Sequence, residues 1–348
     1  MSAETLAELS DQLVLGSVLL YLAAMIGFAL ELAYGRASTD APAKRRVRQP
    51  VAVGAVGGVP DGEPAAESAV EPADASAGAS ADVSADGPAD GSAGGPAQPP
   101  AEVAPARWAL TAGKVALALA WVGWAANLGA IFTRGLAVGR WPWGNMYEFV
   151  VAICFAAVTA FLATQLRANV RFVGPFVMLV VVLGLGAAVR FLYTSAGPVV
   201  PALNSYWIAI HVSAAILASG LFILAGTAGV LYLIRGDGLS RLPAKADLER
   251  VAHRAIVLAF PLWTFAVIAG ALWADKAWGR YWGWDPKEVW SFITWVAYAA
   301  YLHARVTAGW RGKAATIVQL VALGCLLFNL VGVNIFLGGL HSYADVSN

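Results

Sequence analysis

Aromatic rings and charges crowd one short stretch of the sequence, WGRYWGWDPKEVW, at residues 278–290. Its rings belong to Trp278, Tyr281, Trp282, Trp284 and Trp290. Rings at such density make a platform for a large, flat, apolar ligand. Arg280 and Lys287, with the N–H groups of the helix start behind Trp284, suit anionic groups on that ligand. Because haem is a flat apolar disc with carboxylates at its edge, this tryptophan stretch favours a haem platform over a belt of interfacial tryptophans.

Two of the four histidines are candidate ligands for a haem iron. His211 lies about two turns into an apolar block that starts near residue 205, and His341 follows the Gly338–Gly339 pair that ends the last block. Both are expected at the membrane face of the tryptophan stretch, one before it and one after it in sequence. Either histidine alone is typical of an interface, but two that flank an aromatic platform favour axial ligation, a common role of imidazole.

The other two histidines are expected elsewhere. His303 comes eighteen residues after Asp285, which puts it roughly 27 Å lower along a helix that rises 1.5 Å per residue. An ionisable group at that depth is a candidate functional residue, although a histidine that reaches the inner interface explains the position equally well. His253 lies between Arg250 and Arg254, and we expect it to be exposed to solvent.

A helix start follows the tryptophan stretch. Asp285, Pro286 and Glu288 have the spacing of an N-cap, a first helical residue and a glutamate that reaches back to the cap. A second segment, WPWGNMYEF at 141–149, repeats this arrangement. Its corresponding residues are Trp141, Trp143, Asn145 and Glu148. The sequence therefore predicts two external loops that each place a Trp-x-Trp pair just before a capped helix.

Membrane helices must position these residues, since 59% of the chain is hydrophobic and only 13% is charged. Soluble proteins are about a quarter charged, and the net charge of +1 argues against a nucleic-acid partner. A helix needs roughly 20 apolar residues to cross a bilayer. Eight blocks approach that length: 12–34, 109–132, 147–166, 172–192, 205–234, 255–273, 287–306 and 314–337. None alternates like a barrel strand, so the sequence predicts an all-α polytopic membrane protein of about eight helices.

The distribution of Lys and Arg predicts the orientation of the bundle. With the N-terminus outside, the inner segments hold 16 of these residues and the outer segments hold 6, while Lys114 lies near the inner face. The acidic N-terminus, with Glu4, Glu8 and Asp11, lacks the basic region of a cleaved signal peptide. We therefore expect both termini and the tryptophan stretch to be outside.

The chain divides into three parts. Residues 1–35 are expected to form an N-terminal transmembrane helix. Residues 36–106 are rich in Ala, Gly, Pro, Ser and Asp, a composition that predicts a disordered cytoplasmic linker. Residues 107–348 are expected to form a membrane domain of seven helices with an external loop at 274–290.

Six residues of the tryptophan stretch resemble the WWD signature of the haem-handling proteins of cytochrome c biogenesis: Trp278, Gly279, Trp282, Trp284, Asp285 and Glu288. The tail GVNIFLGGLHSY (332–343) and the loop RWPWGNMYEF (140–149) resemble the CcsA/ResC branch in particular. That branch serves the two-protein maturation system of many Gram-positive bacteria, some other bacteria and chloroplasts. The resemblance covers roughly residues 109–348, and the long linker and separate first helix depart from it.

The resemblance implies that His211 and His341 are the axial ligands of an external haem b. It also implies that His303 belongs to a second haem site inside the membrane, completed by a histidine of a CcsB/ResB-type partner. The side chains expected to surround haem are Trp141, Trp143, Trp278, Arg280, Trp282, Trp284, Asp285 and Glu288.

The implied function is the passage of haem across the bacterial cytoplasmic membrane and its delivery to apocytochrome c. Haem then joins the C-x-x-C-H motif of the apocytochrome, whose thiols are kept reduced with the help of a thioredoxin-like protein. With its partner the chain is expected to act as a cytochrome c synthase. No side chain has the pattern of a catalytic acid or base, so we expect catalysis by positioning.

Other functions remain open at this point. A small-solute secondary transporter predicts inverted repeats and charges at the midplane, and a b-type membrane cytochrome predicts paired histidines within the helices. The shorter and the longer haem-handling proteins of the multi-component pathway fit eight spans poorly.

Cys154 and Cys325 lie in apolar blocks and suit packing. No C-x-x-C occurs, which excludes a thioredoxin-like carrier and a c-type cytochrome.

Overall fold

The computed structural model describes residues 1–35, 106–199, 205–235, 242–307 and 309–341. Its main helices are α1 (Ala3–Tyr34), α2 (Arg107–Val138), α3 (Met146–Arg167), α4 (Gly174–Phe191), α5 (Tyr206–Arg235), α6 (Lys245–Trp278), α7 (Pro286–Thr307) and α8 (Lys313–Leu327). A 3₁₀ turn, Arg171–Val173, precedes α4, and a π-helical turn, Phe328–Gly332, joins α8 to the short α9 (Val333–Phe336). The described residues contain no strand, which confirms the predicted all-α class.

Seven of the described helical segments are long and apolar enough to cross a membrane. They are α1, α2, α3, α4 with its 3₁₀ turn, α5, α6 and the run from α8 through α9. Helix α7, at 22 residues, has the length of α3 but is less apolar. Lys287 and Glu288 lie at its start, and His303 and Arg305 near its end. The prediction of a polytopic helical membrane protein is confirmed.

Helix α1 packs along α2 and also against α4, so it belongs to the bundle and is not the separate tethered helix that the sequence suggested. Small residues allow the close approach of α1 and α2. A Cβ added to Gly27 would lie 2.8 Å from the Cβ of Ala116, and one added to Gly123 would lie 2.8 Å from the ring of Tyr21. Close backbone packing at small residues is a main source of association between membrane helices. The predicted linker, residues 36–106, lies outside the described residues except for Ala106.

Helix α6 is much longer than the apolar block 255–273 predicted. It spans 34 residues and takes in half of the polar segment 235–254 before the block and Trp278 after it. Gly279 ends it in the left-handed conformation, with φ of 70°. The external loop predicted at 274–290 is therefore helical at both ends, and only residues 279–285 connect α6 to α7. This short loop holds the tryptophan stretch against the helix ends.

Candidate functional site

A cavity of about 150 Å³ lies at the end of the bundle where α6 ends and α7 begins. Residues of α3, α5, α6, α7, the π-helical turn, α9 and the segment after it line the cavity, together with the loops before α3 and before α7. The residues that the sequence singled out and that lie on its wall are Trp143, Asn145, His211, Trp278, Tyr281, Trp282, Lys287, Glu288 and His341. The fold thus brings both candidate ligands into one space, which we call the aromatic cavity.

His211 is held from α6. Its Nδ1 lies 2.7 Å from the carbonyl oxygen of Ala266. Because a carbonyl only accepts hydrogen bonds, Nδ1 carries the proton and Nε2 keeps its lone pair. The ring stacks on Trp273, with centroids 6.0 Å apart and planes at 16°. Gly270 permits this approach, since a Cβ there would lie 2.7 Å from Cε1 of His211.

His341 is held by Asp285. Its Nδ1 lies 2.8 Å from Oδ2 of this carboxylate, and the backbone N–H of Leu340 donates to Oδ1 at 2.6 Å. Gly339 lets the chain pass close, because a Cβ there would clash with Oδ1 of Asp285. Trp273 and Trp278 meet the His341 ring edge to face, at 5.9 and 5.1 Å between centroids. The buried indole of Trp273 therefore contacts both imidazoles.

Asp285 is charged despite its burial. Burial disfavours the carboxylate, but the hydrogen bonds from His341, Leu340 and Lys287 outweigh it and hold the pKa of Asp285 below its ordinary value. An ionised carboxylate only accepts hydrogen bonds, so Nδ1 of His341 donates. A carboxylate behind an imidazole is the usual arrangement for orienting a histidine toward a metal and raising its basicity.

The predicted helix caps are confirmed in both loops. The N–H of Lys287 donates to Oδ2 of Asp285 at 3.2 Å, and Oε2 of Glu288 accepts from Gly283 and Asp285 at 2.8 and 3.1 Å. In the earlier loop, Oδ1 of Asn145 accepts from the N–H of Glu148 at 2.9 Å. Each glutamate reaches back into its loop, because Oε2 of Glu148 accepts from the N–H of Gly144 at 2.8 Å.

Several residues that the sequence grouped with the platform lie off the cavity wall. Trp284 is 70% exposed, and Trp141 is 59% exposed. Arg280 is exposed, beside Gly283. Asp285 lies behind His341 and acts through it.

The remaining histidines lie far along the helices from the cavity. His303 is exposed near the end of α7, with Nδ1 3.4 Å from Oγ1 of Thr307. His253, expected to be exposed, is instead partly buried in α6 and lies 3.4 Å from the hydroxyl of Tyr301.

Four residues of the site had no signal that singled them out in the sequence. In the sequence, Trp273 looks like any interfacial tryptophan; only the extension of α6 beyond it shows that it lies inside the site. Gly270 is one of many helical glycines. Asn329 and Asn334 reach the cavity through the π-helical turn and α9, where Nζ of Lys287 donates to both.

The fold and the cavity define a multi-pass helical membrane protein with a paired-imidazole aromatic site. Residues 143–341 match the cytochrome c assembly protein family. The cytochrome c biogenesis protein CcsA of Gloeobacter violaceus is 31% identical over 291 residues, which cover 64% of this chain and 86% of the relative. The CcsA of Synechococcus elongatus is 32% identical over 285 residues, covering 66% and 86%. The CcsA of Chlamydomonas reinhardtii is 40% identical over 153 residues, covering 42% and 43%.

The chain therefore belongs to the cytochrome c assembly protein family and is of the CcsA type. Its role is in cytochrome c maturation. The matched range begins at the loop before α3 and ends at His341, so it takes in every residue of the aromatic cavity.

Proposed function

We propose that the aromatic cavity binds haem, with His211 and His341 as the two axial ligands of the iron, and presents it to apocytochrome c. One observation carries the proposal. Both imidazoles lie on one aromatic wall, and each is engaged through Nδ1, by Ala266 and by Asp285. In each ring Nδ1 is the donating nitrogen, so Nε2 is the nitrogen that would coordinate the iron, and two neutral imidazoles make a six-coordinate, low-spin iron that small oxidising ligands attack poorly.

The residues fit haem in kind: two imidazoles, several indoles and one ammonium group. The cavity of about 150 Å³ is smaller than the roughly 300–1,000 Å³ of ligand pockets, but it is open to solvent on one side, so haem need only be partly enclosed. The loop at 279–285 is the part that adjusts to the ligand, because Tyr281 and Trp284 in it are largely exposed, whereas Trp273 is buried.

The protein acts on haem by positioning. When bound, haem supplies two vinyl groups, to which the cysteine thiols of the apocytochrome add. Asp285 orients His341, and Trp273 fixes the angle between the two imidazoles by contacting both. Holding two reactants in the right geometry removes much of the entropic barrier of a bimolecular step.

The proposed orientation in the membrane rests on the distribution of Lys and Arg, and the proposed ligand and partners rest on the family resemblance. We propose that the cavity faces the outside of a bacterial cytoplasmic membrane, that haem b arrives from the inside, and that residues 36–106 form a cytoplasmic linker. His303 then belongs to an inner haem site. Its exposure on α7 supports this, because a histidine of a CcsB/ResB-type partner can reach it. A thioredoxin-like protein reduces the apocytochrome thiols.

The visible spectrum of the detergent-purified protein tests the proposal. We expect a low-spin haem spectrum in the wild type. His211→Ala and His341→Ala each open one axial position, so both variants should become high-spin and fail in maturation, and added imidazole should restore part of the function. His253→Ala is the matched control and should change nothing. Wild-type, low-spin spectra in both alanine variants contradict the ligand assignment.

Two further measurements test the wider assignment. A reporter fused after Asn348 should be external and one inserted in residues 60–90 cytoplasmic; the reverse result overturns the orientation. His303→Ala should lower the amount of haem that reaches the outer site without changing its spin state. An unchanged haem content in that variant removes His303 from the path.

A further inference from the structure

Lys287 brings a positive charge to the wall of the aromatic cavity. Its ammonium group donates to the carbonyl oxygen of Asn329 and to Oδ1 of Asn334, each at 2.9 Å. Both acceptors are neutral. An ammonium has three N–H donors, so these two contacts leave one donor to spare.

The π-helical turn creates this contact. In a regular α-helix the N–H of Val333 donates to the carbonyl of Asn329, four residues earlier. Here it donates to Phe328 instead, and Lys287 donates to the Asn329 carbonyl. Single π-helical turns are rare and occur frequently at functional sites. The distortion holds the ammonium group at the cavity wall.

The nearby carboxylates do not contact the ammonium group of Lys287. Glu288, also on the wall, accepts from the loop N–H groups of Gly283 and Asp285. Asp285 accepts from His341 and from the backbone N–H groups of Leu340 and Lys287, so its charge acts on the ammonium only from a distance. Among the described ion pairs, none within 4.0 Å involves Lys287. A cation withdrawn from water is costly, so a ligand carboxylate at the spare N–H of Lys287 would give it a direct ion pair.

A second donor on the same wall lacks a partner. Nε1 of Trp143 is buried and has no hydrogen-bond acceptor within the described part of the chain. Buried indole N–H groups normally find an acceptor. Trp143 precedes Met146, whose sulfur accepts from the side chain of Asn334, and Asn334 accepts from Lys287. The loop before α3 and the start of α7 thus meet through α9.

We propose that Lys287, with Trp143, forms a carboxylate subsite that takes one propionate of the bound porphyrin. This inference rests on the proposed function, because it needs haem in the cavity. The ammonium supplies the missing ion pair, and the indole supplies a hydrogen bond to the same edge of the ring. A propionate anchored here fixes the rotation of the porphyrin about the axis between His211 and His341. The vinyl groups, on the opposite edge, are then presented in one defined direction.

The experiment compares haem with its dimethyl ester, which has the same ring and iron but no carboxylates. Both are titrated spectroscopically into haem-depleted, full-length protein in detergent. Charge-assisted hydrogen bonds are worth about 10-fold to 100-fold in affinity. We expect the wild type to bind haem about 10-fold or more tightly than the ester. Lys287→Met should bring haem down to the level of the ester and leave ester binding unchanged.

Matched variants sharpen the test. Trp143→Phe keeps an aromatic ring, although a smaller one, and removes the N–H, so it should weaken haem more than the ester. Lys276→Met removes an exposed lysine that pairs with Asp275 and should affect neither ligand. If Lys287→Met weakens the binding of haem and of the ester equally, Lys287 only holds the local structure together, and the carboxylate subsite is wrong. The subsite is also wrong if Lys287→Met changes the binding of neither ligand. A wild type that binds neither porphyrin refutes the proposed function instead.

Discussion

The two halves of the bundle repeat one arrangement of four helices. In the first half, α1 to α4 with the 3₁₀ turn have 32, 32, 22 and 21 residues. In the second half, α5, α6, α7 and the run from α8 through α9 have 30, 34, 22 and 24 residues. In each half the first two helices pack along each other, and so do the last two. The second half thus repeats the helix lengths and the pairwise packing of the first.

The loop between the second and third helices has the same sequence motif in both halves. Each begins with a glycine at positive φ, 61° at Gly139 and 70° at Gly279, followed by arginine. Six residues after the glycine comes the N-cap, Asn145 or Asp285, and three residues later comes the glutamate that reaches back. The spacing of glycine, arginine, cap and glutamate is identical.

The halves differ in what fills the space under that loop. In the first half, Glu148 accepts from Arg134 and Arg140 at 3.2 and 2.8 Å, and Arg134 also lies 3.7 Å from Asp11 of α1. In the second half, the N-cap Asp285 binds the imidazole of His341, and a cavity lies beside it. Ion pairs tie the loop of the first half, whereas imidazoles and indoles line the cavity beside the loop of the second half. We therefore expect the first half to act mainly as a scaffold that also lends Trp143 to the cavity wall, and the second half to supply the proposed ligands.

The largest expected effect is on the scaffold half. Arg134→Met leaves the buried carboxylate of Glu148 with a single cation and Asp11 with none of its own, and breaking a buried ion pair costs about 3–5 kcal/mol. The melting temperature in detergent should fall steeply, while the haem spectrum of the folded fraction stays low-spin. Arg190→Met, at an exposed position in α4, is the control. If Arg134→Met has normal stability but an altered haem spectrum, the proposed difference in role between the two halves is wrong.

The next effect compares the two N-caps. Asp285→Asn keeps a capping side chain but removes the charge behind His341, so we expect a roughly 10-fold to 100-fold loss of iron affinity and a higher midpoint potential. Because the pKa of Asp285 is lowered, the wild-type carboxylate is fully ionised at neutral pH, and the difference in iron affinity between the wild type and Asp285→Asn has its full size there. It disappears as the pH falls through that lowered pKa.

The equivalent change in the first half separates capping from ligand orientation. Asn145→Ala removes a cap worth roughly 1 kcal/mol and should lower the melting temperature without shifting the potential. Equal shifts of the potential in the Asn145 and Asp285 variants contradict the assignment of Asp285 to His341.

Much of this comparison could be predicted from the sequence. Local sequence signals are sufficient to predict the apolar blocks and both helix caps, and to expect His211 and His341 at the same face of the membrane. The twofold repeat of four helices could not be seen beyond the two similar loops, because elsewhere the two halves share helix lengths and packing rather than residues. The packing of α1 on α2 depends on contacts such as Gly27 with Ala116, and residues 36–105 separate the two helices in sequence.

The contacts around the cavity were less predictable, for a physical reason. Which residue of α6 meets His211 depends on the register of two long helices, and a shift of one residue replaces Gly270 by a side chain that clashes. The approach of Lys287 to Asn329 depends on a π-helical turn, for which the sequence carries no reliable signal. Trp284, counted with the platform in sequence, is turned outward by its backbone.

A smaller effect tests the register of α5 on α6. The Cβ of Gly270→Ala would press on the ring of His211, so the imidazole must tilt and its hydrogen bond to Ala266 weakens. We expect roughly 10-fold weaker haem binding, a size typical of disturbed ligand orientation, with little change in melting temperature. Gly324→Ala, where an added Cβ meets nothing within 4 Å, is the matched control. Identical behaviour of the two variants shows that His211 does not depend on this contact.

The smallest effect concerns the exposed indole of Trp284. It is 70% exposed with φ of 58°, and left-handed backbone costs a non-glycine residue about 1–2 kcal/mol. Trp284→Ala should change haem retention less than twofold, and Trp284→Gly should raise the melting temperature by relieving the backbone. Trp282→Ala, on the cavity wall, should weaken haem retention clearly. If Trp284→Ala weakens haem as much as Trp282→Ala does, the indole swings inward when haem binds, and the exposed loop takes part in closing the site.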